Sequence, residues 1–280
     1  MSAAAARSPG WTPGMLDLEF AELTDVGRVR DHNEDYSGHL TPASEHEGRT
    51  HGWLFAVADG VGGEELGEVA SQTAIETLLA GFRAAPRGEA HTVLMPRLVQ
   101  TANTRIYELG KASSPGGSRM ATTIVACAFR YDRVVVAHVG DSRCYLIRHG
   151  LASQITRDHT VVAEQVRLGL LSEREAAEAR TRHLLSRSLG NDLFVNVEIG
   201  DRQVHEDDVL LLCSDGLHGP VGGQEMAEIV RWNPELSTAA AKLIALANDR
   251  DGGDNVSVQL IRVRGVERMG MYRGRPYKLR

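Results

Sequence analysis

Runs of buried type in this chain repeatedly stop or start at an acid. "FAVADG" leads into Asp59, "VAHVGDSR" delivers Asp141, "LLLCSDG" leads into Asp215 and "GGDNVSV" begins at Asp254, each close to a glycine. A carboxylate at the end of a strand bound for a core is strongly unfavourable unless something pairs with it. Taken singly, each of these aspartates reads as a turn residue or a helix cap. The repetition, together with the adjacent Glu34 and Asp35 of "DHNEDY", constrains the fold further. Buried runs that deliver their acids to a sheet edge create a cluster of like charge, and such a cluster is tolerable only when cations neutralise it.

The runs themselves read as strands: "LDLEFAEL", "WLFAVA", "TTIVACAF", "RVVVAHVG", "CYLIRHG", "DDVLLLCS" and "NVSVQLIRV", each short and bounded by Gly, Asp or charge. Several are apolar throughout rather than alternating, which predicts strands covered on both faces. "TTIVACAF" and "RVVVAHVG", separated only by "RYD", leave no room for a crossover helix and predict an antiparallel hairpin. Helical periodicity fills "GEVASQTAIETLLAGF", "HTVLMPRLVQTANTRIYELG", "VVAEQVRLGLLSEREAAEAR" and "STAAAKLIALANDR". Long helices set between doubly covered antiparallel strands predict an α+β fold, a layered sheet core flanked by helices rather than a parallel βαβ array. Residues 1–15 mix small residues with Pro and Gly and read as a disordered leader. Residues 266–280 read as a basic tail, either solvated or a docking segment for an acidic partner, and 16–265 as the single domain between them.

With 280 residues, 42% of them hydrophobic and 24% charged, the chain can bury one sizeable core. Its net charge of -6 argues against nucleic acid as a partner, since phosphate backbones demand a basic surface. No apolar stretch reaches the roughly 20 residues a membrane span needs, and the start lacks a signal-peptide pattern, so a cytoplasmic protein is expected. Cys127, Cys144 and Cys213 sit singly in apolar runs, without the pairing of a zinc site, and read as reduced core residues.

Oxygen-only ligands favour Mg²⁺ or Mn²⁺ over zinc. Gly60 would let its carbonyl approach a metal, while Gly216 and Gly253 would keep the rim open. Two ions sharing one bridging acid would activate a water and clamp the oxygens of a phosphoryl group. Arg28 and Arg30 lie just upstream of the acids, and a guanidinium can hold two phosphate oxygens at once. "VADGVGG" is a poor dinucleotide loop, because the third glycine of that motif would fall at Glu65. No Lys-Ser or Lys-Thr follows to make a P-loop, and the G-x-S-x-G and H-E-x-x-H signatures are absent.

Taken in order, "DVGRVRDHNEDY", "LFAVADGVGGEELGEVAS", "GSRMATTIVACAF", "VVVAHVGDSRCYLIRHG", "QITRDHT", "LLSRSLG", "DDVLLLCSDGLHGPV" and "DGGDNVSVQLIRV" resemble the protein phosphatase 2C family, the metal-dependent serine/threonine protein phosphatases, and most closely its bacterial branch. The resemblance spans about residue 25 to 263, and eight ordered matches are far more specific than any one. It implies a four-layer α-β-β-α sandwich with a dimetal site at one end. Asp59 would bridge two Mn²⁺ or Mg²⁺ ions, the Gly60 carbonyl would bind one, Asp215 and Asp254 would complete the other's shell, and Asp141 would join a third metal site. Glu34, Asp35 and Thr122 would hold metal-bound waters, Asn255 would support the Asp254 loop, and Arg30 would bind phosphate with Arg28 accessory. The implied reaction is hydrolysis of phosphoserine or phosphothreonine on proteins by direct attack of the activated water. The implied partners are a bacterial serine/threonine kinase and its substrates, and the protein is expected to act as a monomer.

Three departures qualify the match. Val61 stands where animal members carry a histidine proposed as general acid, so the resemblance implies protonation of the leaving group by a metal-bound water or another residue, with His159 of "TRDHT" a candidate beside the reading of a loop-packing histidine. Ala121 replaces the usual glycine before the threonines, and "HLLSRSLG" lacks the family's usual Asn in the variable flap, about 156–189. A catalytically silent phosphoprotein binder would be expected to lose one of the metal acids, yet Asp59, Asp141, Asp215 and Asp254 are all present. A dimetal nuclease or general phosphoesterase fits the acidic charge and the motif order less well.

Overall fold

The structure is a computed structural model that describes residues 4–7, 15–61, 65–113, 120–272 and 275–278. Two antiparallel six-stranded sheets form its centre. The first runs β1 (Ala4–Arg7), β2 (Asp17–Asp25), β12 (Val256–Gly265), β11 (Val209–Cys213), β8 (Arg143–Arg148), β9 (Leu151–Gln154). The second runs β10 (Glu198–Gln203), β7 (Arg133–Val139), β6 (Ile124–Arg130), β4 (Trp53–Val61), β3 (Asp35–Leu40), with the two-residue β5 (Ala121–Thr122) pairing the end of β4. Helices α2 (Glu65–Arg83) and α3 (His91–Ser113) cover the second sheet, and α7 (Gly223–Trp232) and α8 (Leu236–Arg250) cover the first. The remaining helices are short: α1 (Glu45–Thr50), α4 (Val161–Arg167), α5 (Glu173–Glu178) and α6 (Asp215–His218).

Side-chain alternation explains why the strands are apolar throughout. In β11, Leu210 and Leu212 enter the layer between the sheets, while Val209, Leu211 and Cys213 face the α7–α8 side. In β4, Trp53, Phe55 and Val57 point between the sheets, while Leu54, Ala56 and Ala58 meet the α2–α3 side. Both faces of a central strand are thus buried, so period-two alternation has no polar half to reveal it. The small side chains of Ala56, Ala58, Ala126, Ala128 and Ala137 share that helix-side cluster with Ile75, Leu78 and Met95. The three cysteines are buried and free, with Cys127 Sγ and Cys144 Sγ 3.6 Å apart between the sheets.

The hairpin expected around "RYD" is β6–β7, turning at Tyr131 with φ of 62°. Elsewhere the structure corrects the expectations. The helical pattern over 161–180 divides into α4 and α5, because Gly169 takes φ of 72° and Ser172 caps a new helix in a capping box with Glu175. In the stretch read as a disordered leader, Ala4–Arg7 pairs with Glu19–Glu22 of β2 as an edge strand. Within the basic tail, β13 (Met269–Tyr272) and β14 (Arg275–Lys278) form a two-stranded hairpin. Gly62, Gly63 and Glu64 of the glycine-rich turn, and Gly117, Ser118 and Arg119 of "GSRMATT", lie outside the described residues. Among the described residues no helix is long and apolar enough to cross a membrane.

Candidate active site

Strand register gathers the acids at one end of the sandwich. Asp35 at the start of β3 stands opposite Asp59 near the end of β4. The start of β6 meets the end of β7 at Ile124 and Val139, just before Asp141 in the crossover to β8. On the other sheet, Cys213 at the end of β11 lies opposite Arg143 and Val258, which places Asp215 beside the start of β12 and Asp254. Antiparallel pairing therefore brings carboxylates from both sheets to a common rim. The cavity there, of about 530 Å³, is lined by Arg30, Glu34, Asp59, Gly60, Asp141, Asp215 and Asp254, with His183, Ser188 and Asn191 at its flap side.

Hydroxyl and amide side chains hold this rim. Thr123 Oγ1 accepts from the Asp59 N–H at 3.0 Å and pairs with Ser142 Oγ at 2.7 Å, linking the end of β4 to the segment carrying Asp141. Ser214 Oγ donates to Asp35 at 2.7 Å and accepts from the Ser257 N–H at 3.0 Å, joining the two sheets. Asn255 accepts from the Glu34 N–H at 2.8 Å and donates to the carbonyls of Val26 and His32, both at 2.9 Å, so it clamps the loop that carries Arg28 and Arg30. Arg30 Nη2 sits on both oxygens of Asp254, at 2.9 and 3.0 Å, while its Nη1 faces Glu34 at 3.8 Å. Arg28 pairs instead with Asp249, farther out.

Burial dominates the electrostatics. It raises Asp59 well above the usual carboxylate range, with Asp35, Asp215, Asp141 and Asp254 adding like-charge repulsion. Burial likewise pushes Asp35 up to about 7 against the hydrogen bonds from Ser214 and Ser257, and Asp141 to about 7 with help from Asp215 and Asp158. Glu34 and Asp254 are raised by burial too, although Arg30 opposes the shift in both. Asp215 goes the other way: burial pushes it up, but the contact with His183, the nearby His218 and a proton shared with Asp59 hold it below its ordinary value. His183 is raised in turn by Asp215, whose carboxylate lies 3.5 Å from its Nδ1. Without cations, the cluster therefore retains protons near neutral pH.

The donor set fits hard divalent cations. Its members are carboxylates and a backbone carbonyl, and two of its buried oxygens, Glu34 Oε1 and Asp35 Oδ1, have no hydrogen-bond partner. An orphaned, buried carboxylate oxygen is what a cation-ordered water would satisfy. The glycines act differently from expectation at one position: a Cβ at Gly216 would strike the Asn255 carbonyl, so this glycine permits close backbone approach rather than an open rim. Gly60 is equally confined, between the Gly67 and Glu34 carbonyls.

Thr122 is buried against the site, where its hydroxyl donates to the Asp59 carbonyl at 2.8 Å. His159 is fully buried and absent from the cavity lining: its Nδ1 accepts from the Gly140 N–H, its Nε2 faces Glu198 and Arg187, and burial lowers it to about 4. The trio His138, His159 and Glu198 is compact enough to hold a metal. Arg157 and Arg187 already place positive charge on Glu198 and His159, however, and His138 bonds the Arg157 backbone, so packing explains the trio. The residues missed from sequence are Thr123, Ser142, Ser214 and His183. Only His183 carried a signal, as an imidazole in the flap text "TRHLLSRS".

A family model described as "Protein phosphatase 2C" matches residues 22–256. The chain is 36% identical over 255 residues to the "Serine/threonine phosphatase stp" of Listeria innocua, covering 90% of this chain and 96% of that protein. The crystal structure of the Mycobacterium tuberculosis serine/threonine phosphatase PstP/Ppp is similar with a TM-score of 0.77 at 33% identity, over 89% of this chain and 100% of that one. A PstP catalytic domain in complex with two manganese ions gives a TM-score of 0.76 at 34% identity, again over 89% and 100%. Family model, relatives, sandwich topology and strand-end carboxylates agree, and the chain belongs to the protein phosphatase 2C family, in its bacterial serine/threonine phosphatase branch.

Proposed function

We propose that this serine/threonine protein phosphatase works with two Mn²⁺ or Mg²⁺ ions at the strand-end carboxylates and a third at Asp141. The observation that carries this reading is the pair of orphaned buried oxygens on Glu34 and Asp35, set among aspartates that raise one another's proton affinity. Asp59, the Gly60 carbonyl, Asp215 and Asp254 would hold the core pair, with Glu34 and Asp35 ordering water around it. Bound there, the ions would supply water activation and neutralise charge on the transferring phosphoryl group. Arg30, whose Nη2 now serves Asp254, has a guanidinium able to hold two oxygens of a phosphoryl group. Clamped through Asn255, its loop is positioned before substrate arrives. His183, at the cavity and beside Asp215, is the imidazole that could serve a leaving oxygen there. As partners we propose a bacterial serine/threonine kinase and its phosphorylated substrates, met in the cytoplasm by a monomeric enzyme.

The test is phosphate release from a phosphothreonine peptide with added Mn²⁺, wild type beside Asp215→Asn. Turnover that depends on Mn²⁺ and falls about a thousandfold or more in the variant is expected, given that the ions carry the chemistry. Turnover that survived thorough chelation would rule the dimetal reading out.

A further inference from the structure

Between the flap and β10 lies a loop whose Asn191 lines the catalytic cavity and whose next residues turn away from it. Leu193 and Phe194 stand 42% and 78% exposed, while Leu189 before them and Val195 after them pack into the helix-side core. A single exposed apolar residue is ordinary on a protein surface. The fixation of this one is not. From α3, fully buried Asn103 donates to the carbonyls of Asp192 and Leu193 at 2.9 and 3.0 Å and accepts from the Gly190 N–H at 2.8 Å. Gln100 donates to the Leu193 carbonyl at 2.8 Å and accepts from the Val195 N–H at 3.1 Å. Two side-chain amides are thus committed to holding one loop whose own apolar side chains face solvent. A rigid backbone that presents exposed apolar groups lowers the ordering penalty of binding something to them.

Position identifies the occupant. A cavity of about 230 Å³, bounded by Arg187, Phe194 and Asn196, shares Ser188 and Asn191 with the catalytic cavity. A polypeptide whose phosphorylated side chain enters the catalytic cavity rests its neighbouring residues on the rim, and the route across Ser188 and Asn191 leads to Phe194. We infer that Phe194, on the loop these amides hold, forms a preorganised subsite for an apolar side chain of the phosphoprotein, close in sequence to the phosphoserine or phosphothreonine. The inference rests on the phosphatase reading of the cavity, and it adds a sequence preference to that reading.

Steady-state kinetics with added Mn²⁺ test it, using phosphothreonine peptides in which one leucine is moved through the flanking positions against an all-alanine background. p-Nitrophenyl phosphate serves as the substrate with no peptide to engage the loop. One leucine register is expected to lower KM. Phe194→Ala should raise KM for that peptide about tenfold, the effect of losing part of one buried apolar side chain, and lower the ratio of peptide to p-nitrophenyl phosphate kcat/KM by the same factor. Gln100→Ala, which loosens the loop and leaves Phe194 in place, should raise the same KM. Leucine and alanine peptides that are turned over equally well, or an equal loss on both substrates in Phe194→Ala, would overturn the subsite. A wild-type dimer in light scattering that Phe194→Ala converts to monomer would reassign the loop to self-association, against the proposal. Absence of turnover on either substrate by folded wild type would instead sink the phosphatase reading and the subsite with it.

Discussion

At the end of β4, Asp59 faces Asp35 directly across the ladder, a pairing that repels when both are charged. The fold tolerates it through shared protons, through Ser214 on Asp35 and through Arg30 on Asp254. The aspartates were legible in the sequence because they recur: one acid ending an apolar run is an ordinary turn or cap, whereas four of them imply a cluster. Thr123, Ser142 and Ser214 were not, since a hydroxyl near a strand end is unremarkable until its partner is known, and Asp35 and Ser214 are 179 residues apart. For His159 the packing reading holds: burial and the Gly140 N–H claim its ring. If His183 protonates the leaving oxygen, His183→Gln should lower kcat for a phosphoserine peptide about a hundredfold and affect p-nitrophenyl phosphate much less, because a nitrophenolate needs little protonation. Equal losses on the two substrates would remove His183 from that role.

Among the elements, the flap is where periodicity and backbone disagree. Apolar residues continue in helical spacing through Leu168, Leu170 and Leu171, but Gly169 turns left-handed and Ser172 starts a new helix, so one expected helix became α4 and α5. β3 escaped notice because "DYSGHL" is a half-buried edge strand with neither an apolar run nor a clean alternation. Its Gly38 lies against Ile75 and Leu79 of α2, a contact that only the fold reveals. A similar close approach joins β4 to α2, where a Cβ on Gly60 would collide with the Gly67 carbonyl. Gly60→Ala should therefore destabilise the protein by about 1–3 kcal/mol, the usual range for overpacking. It should also weaken Mn²⁺ binding, as read by calorimetry. A variant with unchanged melting temperature would show that β4 and α2 can separate at no penalty.

Across the whole molecule, a layered sheet core flanked by helices was legible from doubly apolar strands and long helices and its division into two sheets from the family resemblance, whereas the edge pairing of Ala4–Arg7 was not, because "AAAR" carries no strand pattern. The rim also fixes how stability responds to pH. Asp35 and Asp141 titrate near 7 in the fold and burial holds Asp59 well above its ordinary range, while an unfolded chain releases such protons near pH 4. A raised carboxylate stabilises the fold fully below its unfolded pKa, and that contribution is lost as pH climbs through its folded pKa. The chelated protein should accordingly lose roughly 5–10 °C in Tm between about pH 5.5 and pH 8, and the stabilisation by Mn²⁺ should grow over the same window as cations replace protons. A chelated Tm that rose across it would contradict the buried, proton-retaining cluster. The same rim draws its carboxylates from both sheets, with Glu34 and Asn255 joined across 221 residues of chain. Such a site exists only after the sheets have docked, so cations arrive too late to nucleate folding. Their effect would fall on the unfolding step: the rate of folding would stay as the bare chain sets it, and bound ions would lengthen the lifetime of the native state.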